Sequence, residues 1–110
     1  MSDDRKMGAI ASRVLFENER IRVWEMKLAP GERSDLHRHD HDYVMIQLDG
    51  DKVAADFEPD SQDVFGGADL GRVEGEVAFG NVIFAEKGGI ETAINIGQKT
   101  FHEFVVELLD

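Results

Sequence analysis

Three of the four histidines in the chain fall within five residues, His37-Arg38-His39-Asp40-His41. Alternate residues of a strand project to one face, so His37 and His39 can chelate one divalent ion through neutral imidazole nitrogens. His41 joins them only if the strand runs on, whereas Asp40-His41-Asp42 has the composition of a turn. The same run also suits a solvent-facing polar loop that holds no metal, because His-x-His is a short and common pattern. Spacing alone leaves both readings open.

The elements that must position these side chains have the period of strands. Val14-Leu15-Phe16 is a short apolar run closed by Glu17-Asn18-Glu19. From Arg20 to Leu28 the chain largely alternates, with Ile21 and Val23 on one face and Trp24, Met26 and Leu28 on the other. The apolar face thus switches near Val23-Trp24, which predicts a bulge or two burial surfaces. Pro30-Gly31 ends this strand with turn chemistry. Tyr43 to Leu48 is the next strand; Asp49-Gly50 predicts a tight hairpin, with Val53 to Phe57 pairing back across it. Glu58 to Leu70, with Pro59, Gly66 and Gly67, has the composition of a surface loop. Further short strands are expected at 82–85, 92–96 and 101–109, punctuated by Gly80, Gly88-Gly89 and Gly97. No segment carries the pattern of a three-turn helix. Many short strands with glycine punctuation predict an all-β barrel or sandwich, a single domain over 14–110 preceded by an arm over 1–13.

The composition bounds what this domain can do. The 110 residues include 23 Asp plus Glu against 12 Lys plus Arg, a net charge of −11. Phosphate contacts need clustered cations, so a nucleic-acid partner is excluded, and adhesion to anionic membranes is disfavoured. The acids concentrate between Asp49 and Glu76, a stretch expected to be a solvated rim. With no cysteine there is no disulfide, thiol nucleophile or iron–sulfur cluster, which suits a reducing cytoplasm. The polar start Met1-Ser2-Asp3-Asp4-Arg5-Lys6 lacks the apolar stretch of a signal peptide, and a cytoplasmic location is expected.

Around the histidines stands a wider frame, Gly31-x5-His37-x-His39-x3-Tyr43-x6-Gly50. It closely resembles the first motif of the cupin superfamily, in which a glycine, two histidines, a glutamate and a second glycine have these spacings. Gly80-x5-Glu86-x-Gly88-x2-Glu91-x3-Asn95 resembles the second motif, with Glu86 at the usual proline and Glu91 at the usual histidine. The lead-in Trp24-Glu25-Met26-Lys27-Leu28-Ala29-Pro30-Gly31 is similar to that of small single-domain cupins. Tyr43 in place of the glutamate looks like the subgroup containing a cupin associated with β-alanine degradation. The resemblance spans nearly the whole chain, from about Phe16 to Leu109. It implies a cupin-type jelly roll, a double-stranded β-helix barrel, often dimeric, with ligands in its interior.

The resemblance also implies a ligand set for a divalent metal such as iron, zinc, nickel or manganese. His37 and His39 keep their roles, Glu91 takes the fourth position, and Tyr43 stands in the third. Two histidines and a carboxylate match the donors of non-haem iron sites. A neutral Tyr43 is a poor ligand, so a hydrogen-bonding role beside the metal is expected. On its own strand Glu91 shares a face with Ala93 and Asn95, against Ile90, Thr92, Ile94 and Ile96. Alternation does not say which face is inside; the resemblance favours Glu91 inside. In the last strand His102 groups with Phe104, Val106 and Leu108, the more apolar face, and is expected to point inward near the barrel mouth. The expected function is a metal-binding cupin acting on a small organic molecule, with Tyr43, His41 and His102 as acid/base candidates. The alternative is a non-catalytic barrel that binds a small ligand or serves as an interaction module.

Overall fold

The computed structural model describes residues 5–65 and 71–109, and these short alternating segments form nine strands and no helix. The strands are β1 (Arg13–Glu17), β2 (Ile21–Leu28), β3 (His37–Arg38), β4 (Tyr43–Asp49), β5 (Lys52–Phe57), β6 (Arg72–Glu76), β7 (Val82–Ala85), β8 (Ile90–Asn95) and β9 (Phe101–Leu108). They make two antiparallel sheets, a five-stranded one in the order β1-β2-β9-β4-β7 and a four-stranded one in the order β3-β8-β5-β6. This is the jelly-roll architecture. Among the described residues no helix is long and apolar enough to cross a membrane.

The turn chemistry acts where it was expected, with one change of partner. Pro30-Gly31 forms the centre of a turn in which Glu32 N–H donates to the Ala29 carbonyl at 2.9 Å. Gly31 has φ +82°, the left-handed conformation that the third position of a type II turn requires. Asp49-Gly50 does not make a hairpin. β4 pairs with β9 and β7, whereas β5 pairs with β8 and β6, so the turn carries the chain from one sheet to the other.

Three further segments settle or depart from what the sequence predicts. β2 runs in unbroken register along β9, and the irregularity lies in its other neighbour, between Val14 and Phe16 of β1. The change of apolar face in β2 therefore reflects two burial surfaces, with Met26 and Leu28 buried inside and Ile21 and Val23 half-buried outside. The polar Arg72-Val73-Glu74-Gly75-Glu76 is strand β6, an edge with too few apolar residues to announce itself. The expected loop after Phe57 is a surface loop only in part. Val64 is buried in the core cluster, while Gly66 and Gly67 lie outside the described residues.

The core lies between the sheets. Met26, Leu28, Phe101 and Val105 from the large sheet meet Phe57 and Ala93 from the small one, together with Ile10 and Ala11 from the segment before β1. Each such large side chain contributes roughly 1.5–3 kcal/mol on burial. Between the sheets lies an open cavity of about 320 Å³, bordered by core residues such as Met26, Ala93, Phe101 and Val105.

Candidate metal centre

The cavity wall is built by register. His37 in β3 lies directly opposite Glu91 in β8, so both side chains leave the same face of the small sheet. His39 follows β3 as the ladder ends, held by its N–H donating to the Gly89 carbonyl at 2.9 Å and its carbonyl accepting from Gly88 N–H at 2.8 Å. Gly88 has φ +103°, and a Cβ there would collide with the Gln62 side chain. That is the physical reason for glycine at this turn, and it fixes where His39 points.

Three donor atoms converge. His37 Nε2 lies 3.1 Å from His39 Nε2 and 3.4 Å from Glu91 Oε1, and His39 Nε2 lies 3.3 Å from the same oxygen. His37 Nδ1–H donates to the Asp35 carbonyl at 2.8 Å, which leaves a lone pair on Nε2. The lone pairs of His37 and Glu91 therefore face each other, and they repel unless a cation or a shared proton lies among the three atoms. Separations of 3.1–3.4 Å are also the edges of a coordination polyhedron around an ion at about 2.1 Å. The residues fit a divalent metal, and among the described residues they form a cluster able to hold one.

All three are buried, His37 at 1% exposure. Burial pushes the Glu91 carboxyl up, but when protons sit on His37 and His39 their hydrogen bonds and charge outweigh it and hold the carboxyl well below its ordinary range. A carboxyl group must be deprotonated to bind a metal, and Glu91 meets that condition.

Tyr43 begins β4 and stacks on His39, ring centroids 3.8 Å apart and planes 13° from parallel. Burial, then the charges of Glu91 and Glu103, push its hydroxyl far above the ordinary phenol range. It is a neutral phenol, and its oxygen has no hydrogen-bond partner among the described residues. An orphaned buried hydroxyl next to an open cavity is a donor awaiting a ligand.

Two candidates lie elsewhere. His41 sits half-buried in the β3–β4 turn, outside both the cavity lining and the donor cluster. His102 is on the opposite side of the large sheet from the cavity, where its Nε2–H donates to Glu25 Oε2 at 2.8 Å. The faces of β9 are reversed from expectation. Phe101, Glu103, Val105 and Glu107 are buried, while His102, Phe104 and Val106 are half-exposed outside.

The reversal places a residue in the cavity that alternation did not single out. Glu103 is 5% exposed and lies in register with Met26 of β2 and Gln47 of β4. Burial first, then the charge of Glu91, raises its carboxyl to about 8. The same inversion in β8, where the polar face is the inner one, was the signal that could have found it.

The fold has known counterparts. The structure is similar to that of a cupin domain from Bordetella pertussis Tohama I, with a TM-score of 0.73, 23% identity, and coverage of 98% of this chain and 100% of that one. It is similar to an RmlC-like cupin with a double-stranded β-helix from Methanocaldococcus jannaschii, with a TM-score of 0.66, 15% identity, and coverage of 99% and 92%. A cupin superfamily protein from Desulfitobacterium hafniense matches with a TM-score of 0.60, 16% identity, and coverage of 94% and 84%. No protein-family model matches the sequence, and no curated protein matches it. The chain has the cupin double-stranded β-helix fold.

Proposed function

We propose that this chain is a metal-dependent cupin barrel that takes a small organic molecule into the cavity between its sheets. The observation that carries this reading is the convergence of His37 Nε2, His39 Nε2 and Glu91 Oε1 within 3.4 Å, in a buried wall of that cavity. A divalent ion held there by His37, His39 and Glu91 would supply Lewis acidity to a molecule in the cavity. Tyr43 donates its unpartnered hydroxyl to a bound ligand, and its ring holds His39 in plane. Tyr43 in the third ligand position supports kinship with the cupins that resemble the one associated with β-alanine degradation.

Elemental analysis of protein purified without a metal-affinity column tests the centre. Near-stoichiometric iron, zinc, nickel or manganese is expected, and a His37→Ala, His39→Ala double variant should fold and carry none. Equal metal in wild type and double variant would sink the assignment. The second reading is a non-catalytic barrel that captures a small ligand. It is favoured by the chemistry of Tyr43, a neutral phenol where the family motif has an ionised ligand. Failure to load any of the four metals on reconstitution would decide for it.

We also propose that the protein acts in the cytoplasm as a homodimer, a location supported by the cysteine-free sequence. A second copy is the occupant that best fits the outer face of the large sheet. Val44, Ile46, Phe104 and Val106 lie together there by register, and Val82 and Phe84 extend the patch at 62% and 52% exposure.

A further inference from the structure

The cavity walls carry a one-sided charge pattern that says what kind of molecule fits them. Glu91 and Glu103 face into the cavity, and among the described residues no Lys or Arg lines it; Glu74 and Glu76 stand exposed at its edge, on the face of β6 away from Val73, and Glu74 is paired with Lys52 and Arg72. Glu91 is occupied by the two histidines. Glu103 is not occupied: its carboxyl, nine-tenths buried and facing the cavity, has no hydrogen-bond partner among the described residues. Of its neighbours in register, Met26 has no donor and the Gln47 amide N–H makes no hydrogen bond to it, while the Gln47 oxygen accepts from Asn81 Nδ2 at 3.1 Å and Ala78 N–H at 3.3 Å. The rest of the wall is apolar, with Met45, Val53, Val73 and Ile83 among its members.

The Glu103 carboxyl opens onto the cavity, and a ligand that brings a donor to it makes a charge-assisted hydrogen bond there. An anionic ligand would instead meet Glu103 with no Lys or Arg of the lining beside it. We infer that the cavity selects a small amine, with its protonated nitrogen against Glu103 and its apolar body between Met45 and Val73. The volume of 320 Å³ holds roughly ten waters, so the ligand has about ten non-hydrogen atoms or fewer. This inference rests on the proposal that the cavity is the ligand site, and it assigns that ligand a chemical class.

Three six-carbon probes of one shape and different charge test it: n-hexylamine, n-hexanol and n-hexanoate. Binding is measured by calorimetry on the protein as purified and again after chelation, so that coordination of the amine by a metal is separated from recognition by Glu103. Hexylamine should bind at least tenfold tighter than either other probe in both samples. Glu103→Gln should abolish that preference, while Glu19→Gln, an exposed site with the same change in net charge, should keep it. Hexanoate binding as tightly as hexylamine, or an unchanged preference in Glu103→Gln, would overturn the inference. So would the failure of all three probes to bind protein that carries stoichiometric metal, an outcome that leaves the metal centre standing. Amine selectivity in protein that holds no metal would support the inference and remove the metal centre.

Discussion

At the residue scale, two buried carboxyls in one cavity are pushed in opposite directions by their partners. Glu91 has two imidazoles and is held ionised. Glu103 has none, and burial raises it to about 8. The consequence for stability has a definite sign. Between the ordinary carboxyl range and about 8, the unfolded chain has released the Glu103 proton while the folded chain keeps it. Stability from this group is therefore fully present at acid pH and is lost as pH rises through about 8. Chelated wild type should lose urea resistance between pH 5 and pH 9, and Glu103→Gln should lose less, ending about 1–3 kcal/mol more stable at the alkaline end. Parallel curves for the two proteins would show that Glu103 has a partner or is hydrated. At the metal centre, Glu91→Gln should weaken divalent binding by more than about a hundredfold, beyond what loss of a supporting hydrogen bond costs. An unchanged affinity would remove Glu91 from the ligand set.

At the scale of elements, β8 shows how much of the site could be read from sequence. On one face Thr92 and Ile94 are half-exposed outside, with only Ile90 buried at the strand's start, and on the other Glu91, Ala93 and Asn95 are buried. Hydrophobicity alone chooses the wrong face, because the interior is a cavity with polar work to do. For β8 the motif spacing corrected the choice, and Glu91 was legible. For β9 no motif intervened, so His102 was expected inside and Glu103 was missed. The sheet partners of β4 and β5 were illegible for a different reason: an Asp-Gly turn sets a local reversal but not which sheet receives the next strand. Asn95 makes the same point about motif residues. Fully buried, it donates to the carbonyls of Leu28 at 2.9 Å and Lys99 at 2.7 Å and accepts from Gly97 N–H at 2.9 Å. It ties β8 to the end of β2 and to the turn before β9, and its role is architectural. Asn95→Leu should fit the space and still lower stability by about 1–3 kcal/mol, since two carbonyls and an N–H lose their partner. A thermal midpoint equal to wild type would mean that water replaces the amide.

At the scale of the whole molecule, the charge of −11 and the apolar sheet face are two halves of one argument. Several mid-chain acids are structural rather than a passive rim: Asp56 pairs with Arg72 at 2.7 Å, and Asp51 accepts from the backbone N–H groups of Lys52 and Gln98. The remainder makes two copies repel over most orientations. On the outer face of the large sheet, by contrast, Glu25 is held by Arg13 and His102, each at 2.8 Å, and the centre is uncharged. Five strands at about 4.8 Å spacing give a patch of roughly 500 Å², the upper end of what monomers leave exposed. A twofold contact through this face covers the patch on both copies at once and brings no free carboxylates together. Sedimentation velocity at micromolar concentration should therefore find a dimer. Phe84→Asp should raise its dissociation constant at least a hundredfold, because it sets two unpaired carboxylates in an apolar contact. The cavity is on the other side of the sheet, so the variant should bind metal as wild type does. A wild-type monomer, or a Phe84→Asp dimer of undiminished affinity, would mean that this face serves another partner.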